Sequence, residues 1–209
     1  MEKDATKDTD VIAIIIPSRG LVHSRTMEDV IRALKGYDYD LFMAHGFSIP
    51  DCFNVPTEQA LLHNPTHLLF IEDDMQLPPD IIDELFFAKA DIATADYPVR
   101  GNQHVVTYLN GKFAWGGLGC TLIKREVFDA LEMPYFRTDT AYQVQDDKLI
   151  PTEAKANYGI FDVDFYQRTK DFSVKVIDMT AGQYFLKKPE LPKYANDTAK
   201  QYEVELWEF

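Results

Sequence analysis

An α/β layered fold is the architecture the sequence predicts, on two observations. The N-terminal half alternates apolar, β-branched runs with stretches whose apolar residues recur at helical spacing. One of those runs ends directly in the acidic triplet Glu72-Asp73-Asp74, at the carboxyl end of a strand, where open α/β sheets bind ligands.

Each element follows from its local pattern. Val11-Ile12-Ala13-Ile14-Ile15-Ile16-Pro17 is a continuous apolar run, which suits a strand buried on both faces. Ser18-Arg19-Gly20 is a loop. A helix is expected over about 25–34, with Met27, Val30, Ile31 and Leu34 on one face and Gly36 ending it. A second strand covers 39–44, and a loop with Gly46 and Pro50 leads to a helix near 56–63. His67-Leu68-Leu69-Phe70-Ile71 is the third strand and runs into the triplet. Pro78-Pro79-Asp80 then opens a helix carrying Ile81, Ile82, Leu85 and Phe86, since proline suits the first turn. A short fourth strand covers 92–95.

The C-terminal half differs in texture. Asn110-Gly111 sits between two short apolar runs and signals a tight hairpin. After Gly116-Gly117-Leu118-Gly119 come a strand over 120–123 and a helix over 125–131. Residues 134–158 read as irregular. A helix near 162–170 and a strand over 174–177 close a single domain spanning 11–186. Residues 1–10 form a loose polar tail, and 187–209 a second tail that packs over the active site.

Composition bounds the function. The 209 residues are 46% hydrophobic, enough for a folded globular protein. With 34 acidic and 21 basic residues the net charge is −13, which disfavours unaided binding to nucleic-acid backbones. Cys52 and Cys120 have no metal-ligand spacing and read as buried free thiols in a reducing compartment. The five histidines show no ligand spacing either. The N-terminus lacks an apolar signal segment and no run is long enough to span a bilayer, so a soluble, cytoplasmic protein is expected.

The triplet carries the strongest chemical signal. Extending the strand's alternation puts Glu72 and Asp74 on one face and Asp73 on the other. Two like charges about 4 Å apart repel by roughly 4 kcal/mol at an effective dielectric near 20, and a hard divalent cation, Mn²⁺ or Mg²⁺, relieves that directly. Asp73 either joins the donor-binding residues or caps the following helix. Arg19 and Arg100 follow strand ends and could neutralise phosphate, or be solvated only. Trp115 suits stacking on a sugar ring or base, or the core. Gly116 and Gly117 allow close backbone approach to a sugar, or make a tight turn. Asp162 and Asp164 offer a general base and a helix cap, in either order.

Phe70-Ile71-Glu72-Asp73-Asp74-Met75 followed by Pro78-Pro79 resembles the Asp-x-Asp segment of GT-A-fold glycosyltransferases. The likeness is greatest to family 2-like enzymes and to small versions from bacteriophages and large viruses. The resemblance runs along most of the domain. Ile14 to Gly20 is similar to the first strand and loop, which implies that Pro17 and Ser18 face the nucleotide. Asn54 lies where the family has an Arg-Asn pair, here preceded by Phe53. Tyr97-Pro98-Val99-Arg100 resembles the segment after the fourth strand, and Trp115 to Arg125 the glycine-rich acceptor-side strand. Phe161-Asp162-Val163-Asp164-Phe165 resembles the late segment whose Asp is the catalytic base of inverting members. Glu72 stands where the family has Asp, and Thr180-Ala181-Gly182-Gln183 lacks the late metal-binding His, leaving Gln183 as a neutral substitute.

The resemblance implies an inverting, metal-dependent transferase with a nucleotide-sugar donor, UDP-linked in the commonest case. The acceptor is a hydroxyl, on a hydroxymethylated base of phage DNA or on a glycan or protein. In a viral setting its place would be the host cytoplasm. Two other readings remain, a nucleotidyltransferase of related fold and a non-catalytic nucleotide-sugar-binding module.

Overall fold

A computed structural model describes residues 11–18, 20–44, 46–99, 103–152 and 161–184. The two tails, Arg19 and Arg100 lie outside the described residues. In chain order the elements are β1 (Val11–Pro17), α1 (Ser24–Ala33), β2 (Asp38–Ala44), α2 (Asp51–Leu61), β3 (His67–Ile71), β4 (Met75–Gln76), α3 (Ile81–Phe87), β5 (Ile92–Asp96) and β6 (Thr107–Leu109). They continue as β7 (Lys112–Trp115), β8 (Cys120–Lys124), α4 (Arg125–Asp129), β9 (Ala141–Gln145), β10 (Lys148–Thr152), α5 (Phe161–Arg168), β11 (Val174–Thr180) and β12 (Gly182–Gln183).

The central sheet has six strands in the order β11-β5-β8-β3-β1-β2. β8 is antiparallel to both its neighbours, and every other pairing is parallel. The mostly parallel α/β architecture is therefore as expected. Alternation along the strands divides the core in two. Ile12, Ile14 and Ile16 of β1 pack with α1 and α3 on one face. Ala13 and Ile15 pack with α2, α4 and α5 on the other.

The second face is aromatic. Phe53, Phe70, Phe128, Phe136, Phe161 and Phe165 pack against one another, with Phe53 and Phe161 at 4.6 Å between ring centroids. Each fully buried ring contributes roughly 1.5–3 kcal/mol of transfer free energy. This cluster explains why α2 begins at Asp51 instead of near residue 56. The helix continues through Pro56, although proline removes one backbone donor, because Cys52, Phe53, Pro56 and Thr57 are all buried along it.

The Asn110-Gly111 hairpin forms as expected. Both residues have positive φ, 50° and 72°, the conformation a two-residue turn between twisted strands requires. The stretch read as irregular contains a hairpin, β9–β10. Its turn, Asp146-Asp147, adopts positive φ without a glycine, so the usual turn signal is missing. Cys52 and Cys120 are buried thiols outside any disulfide, and burial pushes the Cys120 thiol up to about 12. No helix among the described residues is long and apolar enough to cross a membrane.

Candidate active site

The carboxyl ends of β1, β3 and β5 lie along one edge of the sheet, because these strands run in the same direction. β8 runs the other way and brings the glycine turn before it to that same edge. There the Glu72 backbone N–H donates to the Gly119 carbonyl at 3.1 Å. Pro17, Ser18, the acidic triplet, Tyr97 and Gly116–Gly119 are thus neighbours by topology.

β3 stops at Ile71, and Glu72 to Met75 close a turn in which the Met75 N–H donates to the Glu72 carbonyl at 3.3 Å. Strand alternation therefore orders the side chains up to Ile71 but not through Asp73 and Asp74, because a turn rotates successive side chains differently. The turn is held from two sides. The His23 N–H donates to the Asp73 carbonyl at 2.8 Å, and the Tyr184 N–H to the Asp74 carbonyl at 2.6 Å. β12 pairs antiparallel with β4, setting Gln183 opposite Met75. The late segment and the acidic turn are thereby brought together.

Glu72, Asp74 and Gln183 supply only hard oxygen donors, which fits Mg²⁺ or Mn²⁺ in chemical type. Among the described residues no group of three or more His, Cys, Asp or Glu is gathered to hold a metal ion. A cation here would rest on two carboxylates and an amide, with substrate oxygens and water completing its shell.

Asp162 and Asp164 both lie in the first turn of α5 but meet different surroundings. Asp164 is buried, its Oδ1 accepts from the Tyr142 hydroxyl at 2.9 Å, and Arg168 lies 3.8 Å from Oδ2. It ties the β9–β10 hairpin to α5. Asp162 is partly exposed as a residue, yet its Oδ1 is buried and has no hydrogen-bond partner among the described residues. Burial lifts its carboxyl to about 7, against the opposing pull of its own backbone N–H and that of Val163.

Tyr97 joins these groups. Its side chain is buried, and its hydroxyl accepts from the Gly119 N–H at 3.0 Å. Burial raises its pKa, and the charges of Glu72 and Asp162 raise it further, so both carboxylates act on this one phenol. Tyr97 also explains two glycines. A Cβ on Gly117 would stand 2.0 Å from the Tyr97 hydroxyl oxygen, and one on Gly119 2.7 Å from it. The close approach there is to the protein's own tyrosine. At Gly116 a Cβ would find only ordinary contacts of 3.5 Å with Thr94 and Tyr166. Thr121 Oγ1 donates to the Gly117 carbonyl at 3.0 Å and pairs with Thr94 Oγ1 at 2.8 Å, fixing the turn from below.

The remaining predicted residues divide. Ser18 closes its own loop, donating to the Leu21 carbonyl at 2.8 Å and accepting from the Gly20 N–H at 3.1 Å. Pro17 is buried at the end of β1, and Trp115 is half-buried at the end of β7. Asn54 is buried on α2. Its amide donates to and accepts from the Phe136 backbone, both at 2.9 Å, and pins that loop onto α2.

The sequence reading missed Asp29, Asp96, Tyr97 and Tyr184. Asp29 Oδ2 accepts from the Leu77 N–H at 3.0 Å and the Tyr184 hydroxyl at 2.8 Å, and its Oδ1 pairs with Arg32. One signal was present: Asp29 falls on the buried stripe of α1 with Thr26, Val30 and Ala33. A charged residue in an inward helical phase needs partners. Tyr184 also stacks on His23, with centroids 4.7 Å apart.

No protein-family model matches the chain, and no curated protein matches it in sequence. Among solved structures, A197 from STIV superposes with a TM-score of 0.56 at 17% identity, over 84% of this chain and 85% of that one, which shows a shared fold. A protein assigned as a nucleotide-diphospho-sugar transferase from Desulfovibrio desulfuricans G20 gives 0.41 at 10% identity, over 80% and 78% of the two chains. One assigned as a glucose-1-phosphate thymidylyltransferase from Bacillus anthracis, determined with sucrose, gives 0.46 at 12%, over 82% and 87%. At those scores neither of the last two bears on the argument.

Proposed function

We propose that this chain is a metal-assisted glycosyltransferase of the GT-A, family 2-like kind, moving a sugar from a nucleoside diphosphate to a hydroxyl acceptor. One observation carries the reading. Asp162, a carboxyl that burial lifts to about 7, opens the helix whose Tyr166 packs beside Gly116, in the same glycine turn whose Gly119 carbonyl accepts from the Glu72 N–H. A base whose pKa lies near neutrality is suited to general-base work, and perturbed carboxyls gather at active sites.

In this reading Asp162 accepts the proton of the acceptor hydroxyl as its oxygen attacks the anomeric carbon. The bond from that carbon to the diphosphate oxygen breaks in the same step, and the configuration inverts. Glu72, Asp74 and Gln183 would hold Mn²⁺ or Mg²⁺, whose chemistry when bound is to neutralise the departing diphosphate. Pro17 and Ser18, with Arg19 beside them, would flank the nucleoside, which is UDP-linked in this proposal. The sugar would face Trp115 to Gly119. Asp73 and Arg100 would complete the donor side, and Asp164 supports the helix that presents the base. The acceptor is a hydroxyl on a modified DNA base or on a glycan or protein, reached in the cytoplasm.

Thermal melting with a panel of nucleotide-sugars, with and without Mn²⁺, tests this. A donor held at a hundred times its Kd stabilises the native state by about 2.7 kcal/mol. The expected result is a Mn²⁺-dependent rise in Tm that Asp74→Ala abolishes. No rise with any donor would end the proposal. Donor binding without transfer or hydrolysis would favour the non-catalytic binding module.

A further inference from the structure

Asp96 ends β5, at the same edge as the acidic turn. Its carboxylate is held by two backbone donors, since Oδ1 accepts from the N–H groups of Tyr97 at 3.0 Å and Val106 at 3.2 Å. The other oxygen, Oδ2, lies 2.6 Å from Nδ1 of His104. The His104 side chain is 55% exposed, and among the described residues its Nε2 has no hydrogen-bond partner. The backbone holds the ring in place as well. Pro98 and His104 form an antiparallel bridge, and the Val105 N–H donates to the Tyr97 carbonyl at 3.1 Å.

A carboxylate fixed in this way fixes the imidazole. Nδ1 must carry the proton it donates to Asp96, so in the neutral ring Nε2 presents a lone pair outward. In that state the nitrogen accepts from a hydroxyl, whereas a phosphate oxygen, itself an acceptor, offers it no proton. Its neighbours indicate which hydroxyl. The Val105 side chain lies 2.6 Å from where a Cβ on Gly117 would stand, beside the turn assigned to the sugar. The Ala181 N–H donates to the Asp96 carbonyl at 2.9 Å, which links this corner to the segment paired with the acidic turn.

The geometry points to His104 as a binding residue for a hydroxyl of the donor sugar, with Asp96 as the positioning residue that sets its tautomer. This rests on the glycosyltransferase reading and adds a sugar contact to it. Asp96→Asn keeps an acceptor oxygen for the two backbone donors but turns an NH₂ group toward Nδ1. The ring then protonates at Nε2 and presents a donor where it had an acceptor.

Two measurements on the full chain test this. The first is ¹⁵N NMR of the histidine rings, assigned with His104→Gln. The wild type should show the Nδ1–H tautomer at His104, and Asp96→Asn the Nε2–H tautomer. The second is calorimetric titration with UDP and with UDP-glucose, UDP-galactose, UDP-N-acetylglucosamine and GDP-mannose, each with Mn²⁺. His104→Ala should bind UDP as the wild type does and the preferred nucleotide-sugar about tenfold more weakly, with Asp96→Asn showing the same split. An Nε2–H ring in the wild type, or equal nucleotide-sugar affinity in the wild type and His104→Ala, overturns the assignment and leaves the transferase reading standing. Failure of the wild type to bind any nucleotide-sugar removes both.

Discussion

Asp162 is the residue where function and stability oppose each other. Its carboxyl sits near 7 in the folded protein because burial disfavours the charge, whereas an unfolded-chain Asp titrates near 3.9. Between these values the folded state holds a proton that the unfolded state has released. The favourable contribution is therefore complete below about pH 4 and is lost as the pH rises through about 7. Asp162→Asn removes the charge, so above pH 7 the variant should be more stable than the wild type, by up to about 4 kcal/mol. Transfer should fall by roughly a hundredfold or more, the usual worth of a general base. Denaturant titration at pH 5 and pH 8, beside a rate assay, checks both. A pH-independent stability difference would refute the buried-charge account. The wild-type rate should rise with pH and level off above about 7 as the base ionises.

The glycine turn makes a second prediction at this scale. Gly117→Ala sets a methyl group 2.0 Å from the Tyr97 hydroxyl and 2.6 Å from Val105. Overpacking of that kind costs about 1–3 kcal/mol. Gly116→Ala meets only van der Waals contacts at 3.5 Å or beyond and should stay within roughly 0.5 kcal/mol of the wild type. The two denaturation midpoints, measured side by side, decide whether Tyr97 is the reason for the glycine.

Among the elements, α2 shows most clearly what the sequence conceals. Asn54 was expected near the nucleotide, yet its amide holds both backbone groups of Phe136 in the aromatic core. Asn54→Ala leaves a buried N–H and a buried C=O without partners, each costing about 1–3 kcal/mol. The expected result is a strongly lowered Tm with unchanged donor affinity in the protein that remains folded. A selective loss of donor binding would return Asn54 to the nucleotide site. Strands β1 and β3 were legible because the apolar runs over 11–16 and 68–71 are uninterrupted. The start of α2 was not, because Pro56 imitates a first-turn proline while tertiary burial extends the helix before it. The β9–β10 hairpin was hidden by a turn made of two aspartates. At the site, the triplet and the Asp162–Asp164 pair stood out as charge beside apolar runs. Tyr97 and Tyr184 did not, because what distinguishes them is a partner remote in sequence, Gly119 for one and Asp29 for the other.

At the scale of the molecule, one sheet gathers residues from every part of the described chain onto a single edge. Parallel strands deliver their carboxyl ends there, and the reversed β8 delivers the glycine turn. The overlap with A197 from STIV covers 84% of this chain at 17% identity, so two sequences that differ at most positions share the architecture.

The pairing of β12 with β4 also bears on how the protein is made. Gln183 meets Met75 from the far end of the described chain, and the Tyr184 N–H reaches the Asp74 carbonyl. A ribosome releases the acidic turn early, but the strand that braces it comes only after β11 has added itself to the sheet edge. The growing chain can bury its apolar strands in stages, whereas the acidic turn, held earlier by His23 and Gly119, gains its last brace only after residue 184 has emerged. The nascent protein is therefore a folded scaffold before it is a complete site.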